Sequence, residues 1–541
     1  MSAHEVVKSP ARDLFVVGCG LASPNLTGDS TPSASTMGNK AYNLLRMAEL
    51  QLPVPPAFVL GTGYCTAGGA EATDWLPGLR ALEAQTGLIL GDARRPLLLS
   101  VRSGAPVSMP GMMETLLNVG LCDATVPGLL RQTGNPRLVW DAYRRLVATY
   151  GEVVAGVAAD LFEAEDRILF DHRDEHDLDF AELRQLTQRY LAVFEAHAGR
   201  PFPQDPIEQL NDAIAAVFAS WQSAKACEYR RLNHLSDEIG TAVTVQAMVF
   251  GNAGGLSGAG VGFTRDPASG APQLWVDFLF NAQGEDVVSG RRSAHGHETL
   301  ASVMPDAWEA LQRATRTLEH ALGDMQDFEF TVQDGRLFML QTRSGKRTPQ
   351  AAARIALDLL DEGVITPAVA RERTDALSEA DLTLVEVVSE DGRSLSPLAR
   401  AATACSGVAI GEIAFGEARA RERHAAGKTV VLLRRDAETS DIAALEAAAG
   451  LLTERGARTS HAAVVARQLG KVCLVGCAEM QFDDAGRSVT IGPDTFQEGD
   501  VITLDGNAGV IYRGAVRTVA RIPEGLLQRL MALRATVTSL Q

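Results

Sequence analysis

The chain has 541 residues, of which 46% are hydrophobic and 22% charged, a length too great for one hydrophobic core and a composition typical of globular proteins. The formal net charge of −17 argues against nucleic acid as a partner, and no apolar stretch is long enough to span a bilayer. We therefore expect roughly three or four domains in a cytoplasmic protein without a membrane segment.

The periodicity of apolar residues predicts a change of structure along the chain. An irregular Gly/Ser/Pro segment comes first, then a helix from about Lys40 to Leu50, and then a strand and a Gly/Met-rich loop. The later stretches are predominantly helical at 137–235, β-rich at 241–348, helical at 349–373, polar and hinge-like at 374–398, compact α/β at 404–512, and helical again at 523–540.

Two segments near the N-terminus carry residue types that suit phosphate binding. Lys40 stands at the start of its predicted helix, where a lysine reaches an anion held at the helix N-terminus. Arg102 ends an apolar strand, and a loop rich in glycine and methionine follows it. Backbone N–H groups of such a loop cradle phosphate oxygens. A solvated lysine and a Met-packed surface loop are the alternative interpretations.

A second pattern lies in the stretch 324–343, which alternates acidic and apolar residues. Asp327 and Glu329 share one strand face because side chains alternate with period two, and two carboxylates on one face suit Mg²⁺. A hairpin then brings Gln341 and Arg343 onto a strand face of their own. A half-exposed strand shows the same alternation, so the pattern alone leaves both interpretations open.

A third pattern is the glycine-rich stretch 257–267, followed by 281–290. Its glycines would let a β-hairpin lie over a nucleotide, and Glu285 would hold ribose hydroxyls. An ordinary glycine-rich hairpin explains the pattern equally well.

The stretch 451–471 predicts a strand, a Gly-containing turn and a helix whose first turn contains His461. Thr459 or Ser460 supplies the N-cap. The helix dipole and free N–H groups of the first turn stabilise a phosphoryl group on the imidazole, which is a competent nucleophile when neutral. A histidine that merely caps the helix is the alternative.

In order along the chain, the motifs of 37–348 resemble the ATP-grasp nucleotide-binding domain of pyruvate phosphate dikinase and, more loosely, that of phosphoenolpyruvate synthase. The stretches 140–146 and 341–348 also match the family pattern. The resemblance implies ATP and Mg²⁺ as cofactors and Asp327 and Glu329 as residues near the metal. It implies that ATP is contacted by Lys40, Arg102, Gly111, Met112, Met113, Arg144 or Arg145, Glu285, Glu329, Gln341 and Arg343, with Arg102 and Arg343 also catalytic.

The stretch around His461, with 406–415 and 439–442, resembles the phosphohistidine domain shared by the dikinases and the first enzyme of the sugar phosphotransferase system. The resemblance implies that His461 carries the phosphoryl group. The chain departs from the family where Ser406 replaces a usual proline, and where Ala457 and Arg458 replace a usual glycine and apolar residue. A positive charge at Arg458 would alter the phosphorylated species or acceptor that is handled.

These resemblances imply an α/β multidomain chain with an ATP-grasp domain and a swivelling phosphohistidine β/β/α domain. The expected boundaries are 1–348 for the first, with a helical insert at about 115–235, then 349–399 for a helical linker or hinge, 400–515 for the phosphohistidine domain and 516–541 for a helical tail.

The expected reaction cleaves ATP to AMP and leaves a pyrophosphorylated and then a phosphorylated His461. In the family a barrel that binds pyruvate or phosphoenolpyruvate follows, and this sequence contains no recognisable one. We therefore expect a small-molecule acceptor on a partner subunit, and three acceptors remain open. A phenolic hydroxyl, as in phenylphosphate synthases and cresol-phosphorylating enzymes, is favoured over pyruvate on a separately encoded barrel, and both over a regulatory phosphocarrier.

Overall fold

The computed structural model describes residues 12–538, apart from 21–23, 29, 108, 110–112, 171–174, 289–295, 390–394, 437–441, 457, 459–460 and 484–485. The chain divides into two compact units. Unit 1 comprises Met1–Gly254 and Phe338–Thr342, and unit 2 comprises Gly255–Leu337 and Arg343–Gln541. The predicted nucleotide-binding domain, 1–348, therefore contributes residues to both units. Within the described residues, no helix combines the length and apolarity needed to cross a membrane.

Unit 1 is built on an antiparallel five-stranded sheet in the order β1-β2-β7-β5-β6. The strands of unit 1 are β1 Leu14–Val17, β2 Ala57–Leu60, β3 Ile89–Leu90, β4 Pro96–Leu97, β5 Leu99–Gly104, β6 Thr115–Val119 and β7 Ala242–Ala247. Its helices are α1 Ala34–Met37, α2 Asn39–Glu49, α3 Thr62–Thr66, α4 Ala72–Thr86, α5 Val126–Thr133, α6 Pro136–Val153, α7 Ala159–Phe170, α8 Phe180–Ala198, α9 Pro206–Ala219 and α10 Ala224–Leu232.

The helical content predicted for 137–235 is confirmed by α6 to α10. Local signals explain two of these helices: Asn135 caps α6 ahead of a proline in its first turn, and Asp179 forms a capping box at α8. Helices α6 and α8 pack together, and the rings of Tyr150, Phe194 and Phe202 pack edge-on between them and the adjoining loop. The core of unit 1 is therefore shared between its sheet and its helices.

Unit 2 contains a four-stranded antiparallel sheet, β11-β10-β8-β9, and an eight-stranded sheet, β13-β23-β22-β15-β16-β17-β18-β14. Its strands are β8 Gly258–Phe263, β9 Trp275–Phe280, β10 Gln326–Gln333, β11 Arg336–Ser344, β12 Leu384–Val387, β13 Ala399–Arg400, β14 Ala402–Cys405, β15 Val408–Ala414, β16 Val430–Arg434, β17 Gly450–Thr453, β18 Val472–Val475, β19 Met480–Phe482, β20 Ser488–Ile491, β21 Asp494–Gln497, β22 Val501–Asp505, β23 Val510–Arg513 and β24 Thr518–Arg521. Its helices are α11 Gly284–Val288, α12 His297–Val303, α13 Pro305–Leu322, α14 Pro349–Asp361, α15 Pro367–Thr374, α16 Glu417–Ala425, α17 Ile442–Ala447, α18 His461–Gln468 and α19 Glu524–Thr538.

The expectation of a β-rich stretch at 241–348 is incomplete, because 297–322 is mostly helical. Helix α13 buries Ala307, Leu311, Ala314 and Leu318, which recur every three or four residues as an amphipathic helix requires. The sequence contains this spacing, but the β pattern of the strands on either side led to the prediction of a β-rich stretch. Helix α13 packs against β10 of the four-stranded sheet.

The glycines of β8 make room for aromatic rings of the neighbouring strand. A Cβ at Gly260 would lie 2.5 Å from the ring of Phe330, and one at Gly262 would lie 2.7 Å from that of Phe328. Side chains larger than hydrogen would therefore displace the β10 rings. This packing accounts for the glycines of β8 without a nucleotide, as the ordinary-hairpin interpretation requires.

The phosphohistidine-like region has a parallel core of β15, β16, β17 and β18, in which α16, α17 and α18 connect successive strands. Antiparallel β22 and β23 extend the sheet beyond β15. This architecture confirms the predicted α/β multidomain fold class.

The helical linker and the C-terminal tail pack against each other. Helix α19 buries Leu530 and Leu533 with Leu357 of α14 and Ala370 of α15. Arg529 of α19 pairs with Asp358 and Asp361 of α14. The two helical predictions, 349–373 and 523–540, are thus confirmed as helices, and they share one small core.

We predict that Gly260→Ala destabilises the chain because its methyl group collides with Phe330. Overpacking of this kind costs about 1–3 kcal/mol. The control is Gly255→Ala, since a Cβ there meets no atom within 4 Å. Chemical denaturation of the two variants measures the difference. Equal stability would contradict the packing role of Gly260.

Candidate functional site

In unit 1 the structure brings Lys40 and Arg102 to neighbouring positions. Gly38, which precedes α2, approaches Gly104 at the end of β5 so closely that a Cβ at Gly38 would lie 1.8 Å from the Gly104 carbonyl oxygen. The backbone N–H of Asn39 also donates to Ala105 O at 3.0 Å. The helix that begins with an exposed lysine is therefore fixed beside the end of the strand that carries Arg102.

Arg102 is half-buried in β5, and among the described residues its guanidinium makes no hydrogen bond or ion pair. A partly desolvated arginine with uncommitted donors suits an oxyanion, because its planar fork matches phosphate oxygens. The strand that carries Arg102 ends beside the start of the helix that carries Lys40, so unit 1 has two cations on adjoining elements.

Gln341 lies buried in the stretch of β11 that belongs to unit 1. That stretch is held by Asn43 of α2, whose Nδ2 donates to Thr342 O at 3.0 Å, and by the Met339 N–H, which donates to Pro53 O. Because Asn43 lies one turn after Lys40, the Gln341 strand is anchored to the same helix.

The Gly/Met loop lies largely outside the described residues, including the predicted Gly111 and Met112. Met113 is described and packs, half-buried, against a small cluster that contains Met109, Trp221 and Ala226. Met109 is buried there, so it contributes to packing.

Arg144 and Arg145 are engaged in ion pairs on α6. Arg144 is buried and pairs with Asp141 at 2.6 Å and with Glu175, while Arg145 pairs with Asp141 at 3.1 Å and with Glu175 at 3.0 Å. These contacts give both arginines a structural role in the helical insert. Their predicted contact with phosphate stays a prediction.

In unit 2, Asp327 and Glu329 of β10 and Arg343 of β11 form one charged cluster. The Nε of Arg343 donates to Asp327 Oδ2 at 2.8 Å. Burial raises the pKa of Asp327, Arg343 acts to lower it, and the neighbouring Glu329 raises it further. Burial opposes the charge on Arg343, but the two carboxylates outweigh burial and raise its pKa. The predicted β10–β11 hairpin is confirmed, and it holds two carboxylates near one guanidinium.

This donor set fits Mg²⁺ carried by a nucleotide. Within the described part of the chain, no group of three or more His, Cys, Asp or Glu side chains is placed to hold a metal by itself. Mg²⁺ usually takes one or two carboxylates and completes its shell with water and phosphate oxygens. A desolvated Asp327 beside Glu329 supplies that number, and a cation there would offset the cost of burying the charge.

Glu285 occupies the first turn of α11 and is exposed. The short helix sits on the small apolar cluster of Ala259, Val261, Leu279 and Val287. This cluster fixes α11 against β8 and β9. The role of Glu285 in binding ribose stays a prediction.

His461 is the first residue of α18 and so lies in the first turn, as predicted, and the helix follows the carboxyl end of β17 in the parallel sheet. Loops at the carboxyl ends of parallel strands are where α/β folds bind ligands. The predicted caps Thr459 and Ser460, like Ala457, lie outside the described residues. Arg467, near the other end of α18, donates to Ala404 O at 2.7 Å and fixes the helix to β14.

Sequence analysis did not predict the contact between Arg458, in the loop before α18, and β9. Both Nε and Nη2 of Arg458 donate to Asp277 Oδ1, at 3.2 and 3.1 Å, and its guanidinium lies 4.1 Å from the centroid of the Trp275 ring. Arg467 lies 5.9 Å from the same ring. Asp277 and Trp275 were therefore missed by sequence reasoning, since nothing near them in the chain marks them.

Paired carboxylates on an antiparallel sheet, together with a histidine at the start of a helix after a parallel strand, are the arrangement expected of the dikinase class of proteins. Models of known families agree. The pyruvate phosphate dikinase AMP/ATP-binding domain matches 79–299 and 293–363, and the PEP-utilising enzyme mobile domain matches 426–509. The chain belongs to the pyruvate phosphate dikinase family.

Curated relatives support the same family. The chain is 41% identical over 507 residues to pyruvate, phosphate dikinase of Clostridium symbiosum, which covers 92% of this chain and 58% of the relative. The corresponding enzyme of Rhizobium meliloti (strain 1021) is 40% identical over 529 residues, with 94% and 58% covered, and pyruvate, phosphate dikinase 2 of Zea mays is 42% identical over 489 residues, with 88% and 55% covered. The chain thus spans little more than half the length of these relatives.

We predict opposite pH responses for two carboxylates in this part of unit 2. The pKa of Asp327 is raised, so its charged form costs stability as pH rises from the ordinary aspartate range through the raised value. Asp327→Asn removes that cost, and its stability relative to the unchanged chain should grow over this rise in pH.

Asp324 is the matched control, since burial would raise its pKa but Arg347 and Arg373 outweigh burial and lower it. Its carboxylate accepts from Arg347 Nη1 at 2.6 Å and Nη2 at 2.7 Å. Asp324→Asn should cost about 1.5–3 kcal/mol near neutrality, the value of hydrogen bonds to charged groups. That cost should shrink as pH falls through the lowered pKa. Urea denaturation at a series of pH values measures the stability of both variants. The same pH dependence of stability in the two variants would contradict the opposite pKa shifts.

Proposed function

We propose that the chain performs the ATP half-reaction of a dikinase and carries the resulting phosphoryl group on His461. The observation that carries this proposal is the charged cluster of Asp327, Glu329 and Arg343 in the same unit as the His461 helix. Arg467 of that helix interacts electrostatically with Asp327. A carrier helix in electrostatic reach of a metal-type carboxylate suits transfer from a metal-bound nucleotide.

The residues have separate tasks in this proposal. Lys40 and Arg102 bind phosphate oxygens and offset their charge. Asp327 and Glu329 hold Mg²⁺, which supplies charge neutralisation at the nucleotide phosphates when it is bound. Arg343 orients Asp327 and offers its remaining donors to a phosphate, since one guanidinium has five N–H donors. Gln341, Glu285 and the loop around Met113 position the rest of the nucleotide.

The chemistry at His461 is a substitution at phosphorus. A neutral imidazole nitrogen attacks the β-phosphorus of ATP, a nitrogen–phosphorus bond forms, and AMP leaves with the electron pair of the broken phosphoanhydride. The terminal phosphoryl group of the pyrophosphohistidine then passes to inorganic phosphate or water, which leaves a monophosphorylated His461. The covalent intermediate divides one difficult transfer into two steps.

The relatives' printed names favour pyruvate as the final acceptor and inorganic phosphate as the acceptor of the terminal group. No feature of the described residues favours a phenolic acceptor over pyruvate, so we place the predicted phenol phosphorylation second. An acceptor site on a separate subunit and a cytoplasmic location stay predictions, and some relatives are named as chloroplastic.

We predict that the purified chain with Mg·ATP releases AMP and gains an acid-labile phosphate or pyrophosphate adduct. His461→Ala should lose the adduct completely and keep nucleotide binding, because it removes only the nucleophile. Intact-protein mass spectrometry, nucleotide chromatography and equilibrium binding measure the three quantities. ADP as the product, or an adduct that survives in His461→Ala, would sink the proposal.

We predict that Arg102→Gln lowers the rate of adduct formation by about 10²–10³-fold, as removal of one preorganised donor to a developing charge does. Arg94→Gln is the control, because Arg94 is an exposed arginine of the same unit that lies outside the proposed site. Rapid-quench measurement of AMP release compares the two. Equal rates would remove Arg102 from the site.

A further inference from the structure

Arg458, in the loop before the His461 helix, contacts β9. Arg458 reaches Asp277 with two donors, at 3.1 and 3.2 Å, contacts Val276 O at 3.4 Å, and covers the Trp275 ring at 4.1 Å. The side chain of Asp277 is almost fully buried, whereas a quarter of the Arg458 side chain remains exposed. The ion pair is thus buried on the β9 side and open to solvent on the side of the loop.

Arg458 is three residues from His461, so their Cα atoms are at most about 11 Å apart. A monophosphorylated histidine bears a charge near −2 and three acceptor oxygens, whereas Asp277 bears −1. A guanidinium can bind either group through two parallel hydrogen bonds, and the phosphoryl group offers the larger charge and one more acceptor oxygen. A phosphoryl group on His461 would therefore compete directly with Asp277 for Arg458.

We propose that Arg458 is a phosphorylation-sensitive latch: it docks the His461 loop on Asp277 and Trp275 before transfer, and turns to the phosphoryl group afterwards, which releases the loop from β9. The inference rests on the proposed phosphorylation of His461. The apolar residue expected at this position could pack on the Trp275 ring, but it would have no charge with which to respond to the phosphoryl group. With this latch, the loop is released from β9 only after the phosphoryl group has been transferred to His461.

Arg467 does not have this freedom. Its guanidinium is buried, donates twice to Ala404 O, and lies 5.2 Å from the Phe263 ring. It belongs to the packing of α18 and stays with that helix. Arg458, with its exposed edge and its place in the loop, is the cation able to change partners.

Trp275 serves as the reporter of the latch. Its contribution to fluorescence is obtained by subtracting the signal of Trp275→Phe in each background, and acrylamide quenching measures its access to solvent. The variants are Arg458→Met, which removes the charge and the hydrogen bonds to Asp277, and Asp277→Asn, which removes the partner charge. The control is Arg455→Met, since Arg455 is an exposed arginine of the same loop and forms a loose 4.0 Å pair with Glu454.

Before any phosphorylation, we expect Arg458→Met and Asp277→Asn each to raise the Trp275 quenching constant about threefold, as loss of a partly exposed ion pair and cation–π contact implies. Arg455→Met should leave it unchanged. Circular dichroism establishes that each variant is folded, and agreement between the two variants excludes an effect of one substitution alone. Quenching in both variants equal to that of the unchanged chain would overturn the docking contact.

After Mg·ATP, with the adduct verified by mass, quenching of Trp275 should rise in the unchanged chain and in Arg455→Met, and should not rise further in Arg458→Met. His461→Ala separates nucleotide binding from phosphorylation. Unchanged quenching in a phosphorylated chain would overturn the latch.

The proposed function can fail while the latch is still tested. If Mg·ATP gives no adduct, phosphoramidate serves as a chemical phosphoryl donor to histidine, again with His461→Ala as the control. Release on chemical phosphorylation would support the latch although the ATP reaction had failed. Retained docking after that treatment would overturn it.

Discussion

The carboxyl group of Asp327 sets the main physical constraint on this protein. It is buried, and burial disfavours its charged form, so the fold has to supply positive charge at that point. Arg343 supplies it from the paired strand of the same hairpin, at 2.8 Å. Glu329 adds a second negative charge to the cluster, which a divalent cation would relieve. Stability near Asp327 and affinity for Mg²⁺ are therefore opposed, as is common where binding sites are preorganised.

The apolar packing beneath this cluster keeps it rigid. Phe328 and Phe330 alternate with the carboxylates along β10 and press against β8, where Gly260 and Gly262 leave room for their rings. The ring of Phe330 also stacks on Phe278 of β9 at 5.7 Å. One face of the strand therefore carries charge and the other is locked by aromatic contacts. Glycines that suggested a ligand-covering loop act by fixing the strand that carries the carboxylates.

Local patterns predicted much of this structure because their causes are local. The positions of α2 and α19, the β10–β11 hairpin and the place of His461 in the first turn of α18 follow from periodicity, turns and capping. Helix α13 has the same kind of local signal, but it was not predicted because the β pattern of the neighbouring strands prevailed. Partners distant in sequence were not accessible: Asp277 is 181 residues from Arg458, and the Arg145–Glu175 pair joins residues 30 apart. A sequence shows that a charge is present, but burial and pairing come from the fold.

The connection of the phosphohistidine-like region to the rest of unit 2 bears on how a carrier histidine could move. The predicted hinge, 374–398, contains β12, which pairs antiparallel with β24 where the chain returns from that region. The outgoing and returning connections therefore run side by side, and both lead to helices that share the core of Leu357, Ala370 and Leu530. Paired connections restrict a domain to rotation about a narrow range of axes, whereas a single flexible linker would allow it to diffuse. With such a restraint, the contact of Arg458 with β9 is enough to define a docked position of the phosphohistidine-like region. The paired strands β12 and β24 already limit where that region can move.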